Sequence, residues 1–280
     1  MDIWVKLCRK RSAGFQPASE AMQAGKPALL MPVDGSRRRG GSRWLAALLL
    51  GVLALPLHAQ VDASTAAPQD KPRFFELHES FLKRAKSGPI GVLFLGDSIT
   101  YGWNNVPEVW RHFYARYEPA NFGVGSDQTQ HVLWRLEHGE LDGIAPRVVV
   151  LLIGTNNSAT HTAEQILEAQ AKIIRTLRRK LPQTKVLVLA IFPRGPRHPD
   201  KNGVPRDDGV ARMRVIDAVN AGLPTIDDGR NVRVLNLNSV FLGPDGKIPS
   251  DIMPDQLHLS EKGYRLWGEA MKPLLNEMMR

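Results

Sequence analysis

Apolar positions along this 280-residue chain fall into two alternating rhythms. An unbroken apolar run rich in β-branched residues at 148–153 reads as a strand covered on both faces, and further apolar runs at 91–95, 185–192 and 232–237 read as strands. A less apolar strand is expected around 119–122. Between these runs, apolar residues recur every three or four positions at 107–116, 127–138, 162–180, 208–222 and 260–278, the period of helices with one buried face. A further amphipathic helix is expected over 74–86. Strands alternating with helices of this length imply βαβ units, right-handed crossovers and a parallel sheet. The expected fold is therefore α/β, a three-layer α/β/α domain of flavodoxin-like type with a five-stranded parallel sheet. No internal repeat interrupts it.

Residues 1–60 follow neither rhythm. Arg37-Arg38-Arg39 and Arg43 precede an apolar run at 45–57, which ends in Leu57-His58-Ala59-Gln60. A basic segment, a short apolar core and a small residue before the cut describe a secretory signal peptide over about 37–59, with Met31 as an alternative initiator. The expectation is export, to the periplasm or beyond, after cleavage near Ala59. The run is short for a membrane span, although retention as an uncleaved anchor is the alternative. Residues 61–73, rich in Ala, Pro, Ser and Asp, read as a linker, and 74–280 as the folded domain. The formal net charge of +9 changes meaning once divided. Residues 1–60 carry +6 of it, leaving +3 for the remainder and no basic tract interleaved with aromatics, so nucleic-acid binding has no support. The single cysteine, Cys8, lies in the leader, so the domain has no thiol chemistry and no disulfide.

Candidate chemistry gathers at the ends of the strands. The first runs straight into Gly96-Asp97-Ser98-Ile99-Thr100, and Asp255-Gln256-Leu257-His258 precedes the last helix. Either segment alone is ordinary turn sequence. Together they supply a hydroxyl, an imidazole and a carboxylate, and a serine becomes a nucleophile only when a base accepts its proton and a third group orients that base. Two further segments follow strands: Asn121-Phe122-Gly123-Val124-Gly125-Ser126-Asp127 and Gly154-Thr155-Asn156-Asn157. Strand ends of a parallel sheet converge on one rim, where ligands bind. Loop N–H groups and an Asn amide on that rim suit the oxyanion of a tetrahedral acyl-transfer intermediate.

In order and content these four segments resemble the blocks of the SGNH/GDSL hydrolase family. Asn121-Phe122-Gly123, His131-Val132-Leu133-Trp134-Arg135-Leu136 and Gly154-Thr155-Asn156-Asn157 are similar to the catalytic subunits of intracellular platelet-activating-factor acetylhydrolases. The resemblance spans about 73–278. It implies Ser98 as nucleophile, His258 as base and then acid, and Asp255 as its orienting carboxylate. The oxyanion hole would comprise the Ser98 N–H, a loop N–H from Gly125 or Ser126, and the Asn156 side chain. Where the family has glycine before the second-block aspartate, this chain has Ser126. Apolar residues at Ile99 and Leu257 would crowd the acyl pocket, with Ile99 facing the core as the alternative. The implied protein is an exported serine esterase for short acyl esters, acetyl above all, with no metal or organic cofactor. Its substrate would be a small acetylated lipid or carbohydrate. A longer-acyl lipase or lysophospholipase, or an inactive glycan-binding member, are the alternatives. Relatives often form homodimers, and these residues carry no independent sign of one.

The remaining residues sharpen the picture little. A dinucleotide-binding domain is disfavoured, because no G-x-G-x-x-G follows the first strand. Asp97 is expected to anchor its turn. Asp127 and His131, one helical turn apart, read as a structural pair, and Leu133 and Trp134 as core. His78, His112 and His138 fall in helical patterns without evident partners, while His161 and His198 read as exposed. Residues 193–206 form the longest irregular stretch and follow a strand, which puts them on the same rim.

Overall fold

The computed structural model describes residues 61–197, 207 and 209–280. The leader, its cleavage site and His198 lie outside that range. Helix α1 (Pro72–Lys86) starts with proline where a helix needs no N–H donor, and buries Phe74, His78, Phe81 and Ala85 at helical spacing. Strand β1 (Val92–Gly96) follows, then a single turn of helix, α2 (Ser98–Tyr101), and α3 (Pro107–Tyr114). Next come β2 (Pro119–Gly123), α4 (Thr129–Glu137), β3 (Val148–Leu152), α5 (Ala163–Lys180), β4 (Lys185–Leu189), α6 (Gly209–Gly222), β5 (Val232–Leu235) and α7 (Glu261–Met278). All five strands are parallel in the order β2-β1-β3-β4-β5, as the alternation predicts.

Side chains of alternate strand residues build two cores. Leu93, Leu95, Val149, Leu151, Val186 and Val188 face α1, α4 and α5, whereas Val92, Phe94, Val148, Val150, Leu187 and Leu189 face α3 and α7. Phe81 of α1 stacks on Phe122 of β2 with ring centroids 4.5 Å apart, a contact worth roughly 1 kcal/mol beyond its burial. Register aligns Gly96 with Gly123 on one side and Leu152 on the other, so β1, β2 and β3 end together. That alignment brings the first three candidate segments to one rim.

Several expectations need correction. Residues 61–71 are no free linker: Thr129 Oγ1 donates to the Ala63 carbonyl, Lys172 Nζ to that of Ser64, and Gln69 is buried. They form a strap across the helices flanking β2 and β3. His78 does have a partner, since its Nδ1 lies 2.9 Å from Glu140 Oε1 in the interior. His161 is buried, with Nε2 3.0 Å from the Val61 carbonyl, because the strap covers it. Leu133 is core, but Trp134 is only partly buried, stacking on His138 at 3.8 Å.

Candidate active site

Backbone sterics fix where Ser98 stands. Asp97 is almost completely buried and caps α2, its Oδ1 accepting the Ile99 N–H at 2.9 Å. Ser98 is thus the first residue of a helical turn, with a main-chain N–H that has no intrahelical acceptor. The end of β2 passes so close that a Cβ on Gly123 would lie 2.2 Å from the Tyr101 nitrogen. Asn121 ties the same two elements, donating to the Thr100 carbonyl and accepting the Gly123 N–H. The serine turn is therefore held from below and from the side. Burial pushes the Asp97 carboxyl up to about 7, only partly opposed by the Ile99 N–H.

The segment before α7 closes on this turn. Ser98 Oγ lies 3.0 Å from His258 Nε2, and His258 Nδ1 lies 2.8 Å from Asp255 Oδ2. A carboxylate only accepts, so the ring proton sits on Nδ1 and Nε2 is left to accept from the serine. Asp255 Oδ1 also accepts the main-chain N–H groups of His258 at 2.7 Å and Leu257 at 3.2 Å, an Asx-type turn that sets the three-residue spacing. Burial pushes the Asp255 carboxyl up, but the His258 N–H, the imidazole and Arg197 outweigh it and hold the group below the ordinary carboxylate range. It is anionic at neutral pH.

Arg197 is a partner that sequence reading missed. Its Nη2 lies 2.8 Å from Asp255 Oδ2, and the Gly195 N–H donates to the Gln256 carbonyl. The described part of the irregular stretch, residues 193–197, therefore does reach the rim, as its position after β4 implied, but nothing in its composition marked which arginine would turn inward. Arg194 and Arg212 were also missed. Both pair with Asp207, and Arg212 Nη2 donates to the carbonyls of Thr155 and Asn156 at 3.3 Å, clamping the third segment.

Asn156 donates one amide hydrogen to the Asp127 carbonyl at 2.8 Å, which leaves its second for another acceptor. Ser126 adopts a left-handed backbone with φ 66°, and the loop hangs on β1 through Val124 N–H to the Gly96 carbonyl. The Gly125–Ser126 loop is thus tied on one side to the end of the strand that carries Ser98 and on the other to Asn156. Ile99 and Leu257 are 1% and 5% exposed and pack in the core with Trp103 and Tyr264. Asp127 and His131 are 3.8 Å apart and make no hydrogen bond to each other. The Asp127 carboxylate instead meets Gln69 and Arg135, while His131 Nδ1 accepts the Gln128 N–H in a capping box. Among the described residues no group of three or more His, Cys, Asp or Glu side chains is placed to hold a metal ion.

The chain matches known proteins in sequence and in fold. A model of the GDSL-like Lipase/Acylhydrolase family matches residues 94–266. Platelet-activating factor acetylhydrolase IB subunit alpha1 of Homo sapiens is 36% identical over 211 residues, 75% of this chain and 86% of the relative. Subunit alpha2 of Rattus norvegicus is 34% identical over 212 residues, 76% of this chain and 86% of the relative. The crystal structure of a GDSL-like lipase from Bacteroides thetaiotaomicron shares the fold at a TM-score of 0.57 and 17% identity, covering 71% of this chain and 97% of that one.

Proposed function

This chain belongs to the GDSL-like lipase/acylhydrolase family of ester hydrolases, and we propose that it is a serine esterase specific for short acyl groups, acetyl above all. One observation carries the reading: Ser98 Oγ, His258 and Asp255 form an unbroken hydrogen-bonded chain with links of 3.0 and 2.8 Å. Ser98 Oγ attacks the ester carbonyl carbon as its proton passes to His258 Nε2, and Asp255 stabilises the resulting imidazolium. The oxyanion is met by the Ser98 N–H, the N–H of Gly125 or Ser126, and the free Asn156 amide hydrogen. As the tetrahedral intermediate collapses, the alcohol leaves with the proton from His258 and the acyl group stays on Ser98. Water then attacks, giving its proton to His258. Breakdown of the second intermediate frees the carboxylic acid and returns the proton to Ser98.

Preference for acetyl is supported by relatives named acetylhydrolases, whereas Ile99 and Leu257, expected to crowd the acyl pocket, are packed in the core. The basic and apolar pattern of residues 37–59 supports export. The test is hydrolysis of p-nitrophenyl esters from acetate to octanoate by the wild type and Ser98→Ala. Turnover should be confined to acetate and propionate and fall at least about 10³-fold in the variant. Octanoate cleaved as fast as acetate would remove the acyl preference, and a variant retaining more than about a hundredth of the rate would remove Ser98 as nucleophile.

A further inference from the structure

The strap that composition disguised as a linker has a second consequence. Besides its bonds from Thr129 and Lys172, it is pinned at Gln69, whose Nε2 donates to the Gly125 carbonyl at 3.0 Å and to Asp127 Oδ1 at 2.6 Å. This fixes residues 68–71 beside the loop that carries Ser126. Between the two lies an open cleft of about 380 Å³, walled by Pro68, Asp70 and Lys71 on one side and Ser126, Gln128 and His131 on the other.

The cleft shares the Ser126 loop with the proposed reaction centre. Val124, two residues before Ser126, donates to Gly96, two residues before Ser98, and Gln128 Nε2 donates to the Asn156 carbonyl. An ester whose carbonyl oxygen rests at the Gly125–Ser126 loop carries its alcohol oxygen on the same carbon. The alcohol oxygen itself faces His258 Nε2, which protonates it as it leaves, and the group beyond that oxygen can extend along the loop toward the strap.

The chemistry of the walls selects what fits. Lys71 offers three hydrogen-bond donors, the Asp70 carboxylate accepts, and the Ser126 hydroxyl does both. Because His131 Nδ1 already accepts the Gln128 N–H, the ring hydrogen sits on Nε2, which is left to donate. Burial draws the imidazole down to about 4, so this donor is uncharged at neutral pH. Only Pro68 is apolar. A lipid would need an apolar trough, and a quaternary ammonium headgroup is recognised by aromatic faces. Among the lining residues His131 alone is aromatic.

We propose that this cleft is the leaving-group subsite, and that it takes a hydroxyl-rich alcohol, a sugar or similar polyol bearing the acyl ester. The assignment rests on the esterase reading above and extends it to the alcohol side of the substrate. The test uses the full chain with three probes: p-nitrophenyl acetate, a mono-O-acetylated methyl glycoside, and a phospholipid with one acetyl ester. Each is assayed with wild type, Asp70→Ala, Lys71→Ala and the double variant, all at exposed positions. The double variant should lose about tenfold in kcat/KM on the acetylated glycoside, the scale of one or two lost hydrogen bonds, chiefly through KM. Its loss on p-nitrophenyl acetate should be at least threefold smaller.

Equal losses on both probes would overturn the subsite. So would a wild type that cleaves p-nitrophenyl acetate but not the glycoside, or one that prefers the phospholipid and is insensitive to both substitutions. Those outcomes leave the esterase reading standing. Failure to cleave any of the three probes would instead sink that reading, and the subsite with it.

Discussion

Two residues of the rim are held in conditions that most proteins avoid, and each leads to a measurable consequence. Ser126 occupies left-handed backbone space at φ 66°, where a side chain costs roughly 1–2 kcal/mol relative to glycine. Any oxyanion donor there belongs to the main chain, so Ser126→Gly should retain turnover of p-nitrophenyl acetate while raising the melting temperature by a few degrees. Loss of activity without loss of stability would show that the hydroxyl itself takes part. Asp97 holds a carboxyl in nearly complete burial, at about 7. A carboxyl raised in this way favours its protonated form in the fold. Its contribution is intact in acid, below the unfolded value near 4, and is lost as the pH rises through about 7. Asp97→Asn keeps an oxygen for the Ile99 N–H and cannot ionise. The melting temperature of this variant relative to wild type should therefore climb by several degrees between pH 4 and pH 8. A constant difference across that range would mean that Asp97 titrates as an ordinary surface carboxylate. Gly96-Asp97-Ser98 was visible in the sequence as a turn, and the anchoring role of Asp97 with it, because capping is local. Its burial was not visible, since that depends on Tyr264 and the sheet closing from elsewhere in the chain.

The elements of regular structure were legible because periodicity reports burial directly. Strand β3 was expected at 148–153 and spans Val148–Leu152, and α5 was expected at 162–180 and spans Ala163–Lys180 with Thr162 as its cap. Elements held by side chain to main chain bonds, without periodic apolar contacts, leave no such signature. The strap at 61–71 is the main case, since Ala, Pro, Ser and Asp describe a tethered coil as well as a free one. Gln69 is its critical residue. It is buried and satisfies two acceptors next to the Ser126 loop, the Gly125 carbonyl and Asp127 Oδ1. Gln69→Leu keeps the volume but strands both acceptors, at a cost of about 1–3 kcal/mol. The freed loop should also place its N–H groups less accurately, lowering kcat about tenfold with KM little changed. Melting curves and steady-state rates on p-nitrophenyl acetate separate the two effects. A destabilised variant with full kcat would restrict Gln69 to a structural role. The same reasoning explains why Arg197 escaped notice: its bond to Asp255 belongs to an irregular stretch where sequence carries only position.

Across the whole molecule, two cores on opposite faces of the sheet account for most of the fold, and their split follows from strand alternation alone. What alternation could not reveal is the set of charges sealed inside the first core. Arg135 and Asp127 are fully buried with their groups 2.9 Å apart, and Arg135 Nη1 lies 2.7 Å from the equally buried Glu140, which holds His78. Nothing in the sequence separates Arg135 and Glu140 from charges on a solvated surface, where charge is normally found. The network joins α1 through His78, α4 through Arg135 and the Ser126 loop through Asp127. It therefore ties the helical layer to the rim, and the rim inherits the stability of the layer. Removing the cation tests this at the scale of the whole fold. Arg135→Met keeps most of the apolar stem but leaves two buried carboxylates uncompensated, which should cost about 3–5 kcal/mol. Burial already pushes the Asp127 carboxyl up to about 7 with Arg135 opposing it, and loss of the cation raises it further. The penalty is then greatest at and above neutral pH and shrinks as the pH falls and the carboxylates take up protons. Urea unfolding at pH 7.5 and at pH 5.5 should show a smaller gap between variant and wild type at the lower value. An equal gap at both would mean that the loss is one of packing, and that the charges beneath the rim do not hold it in place.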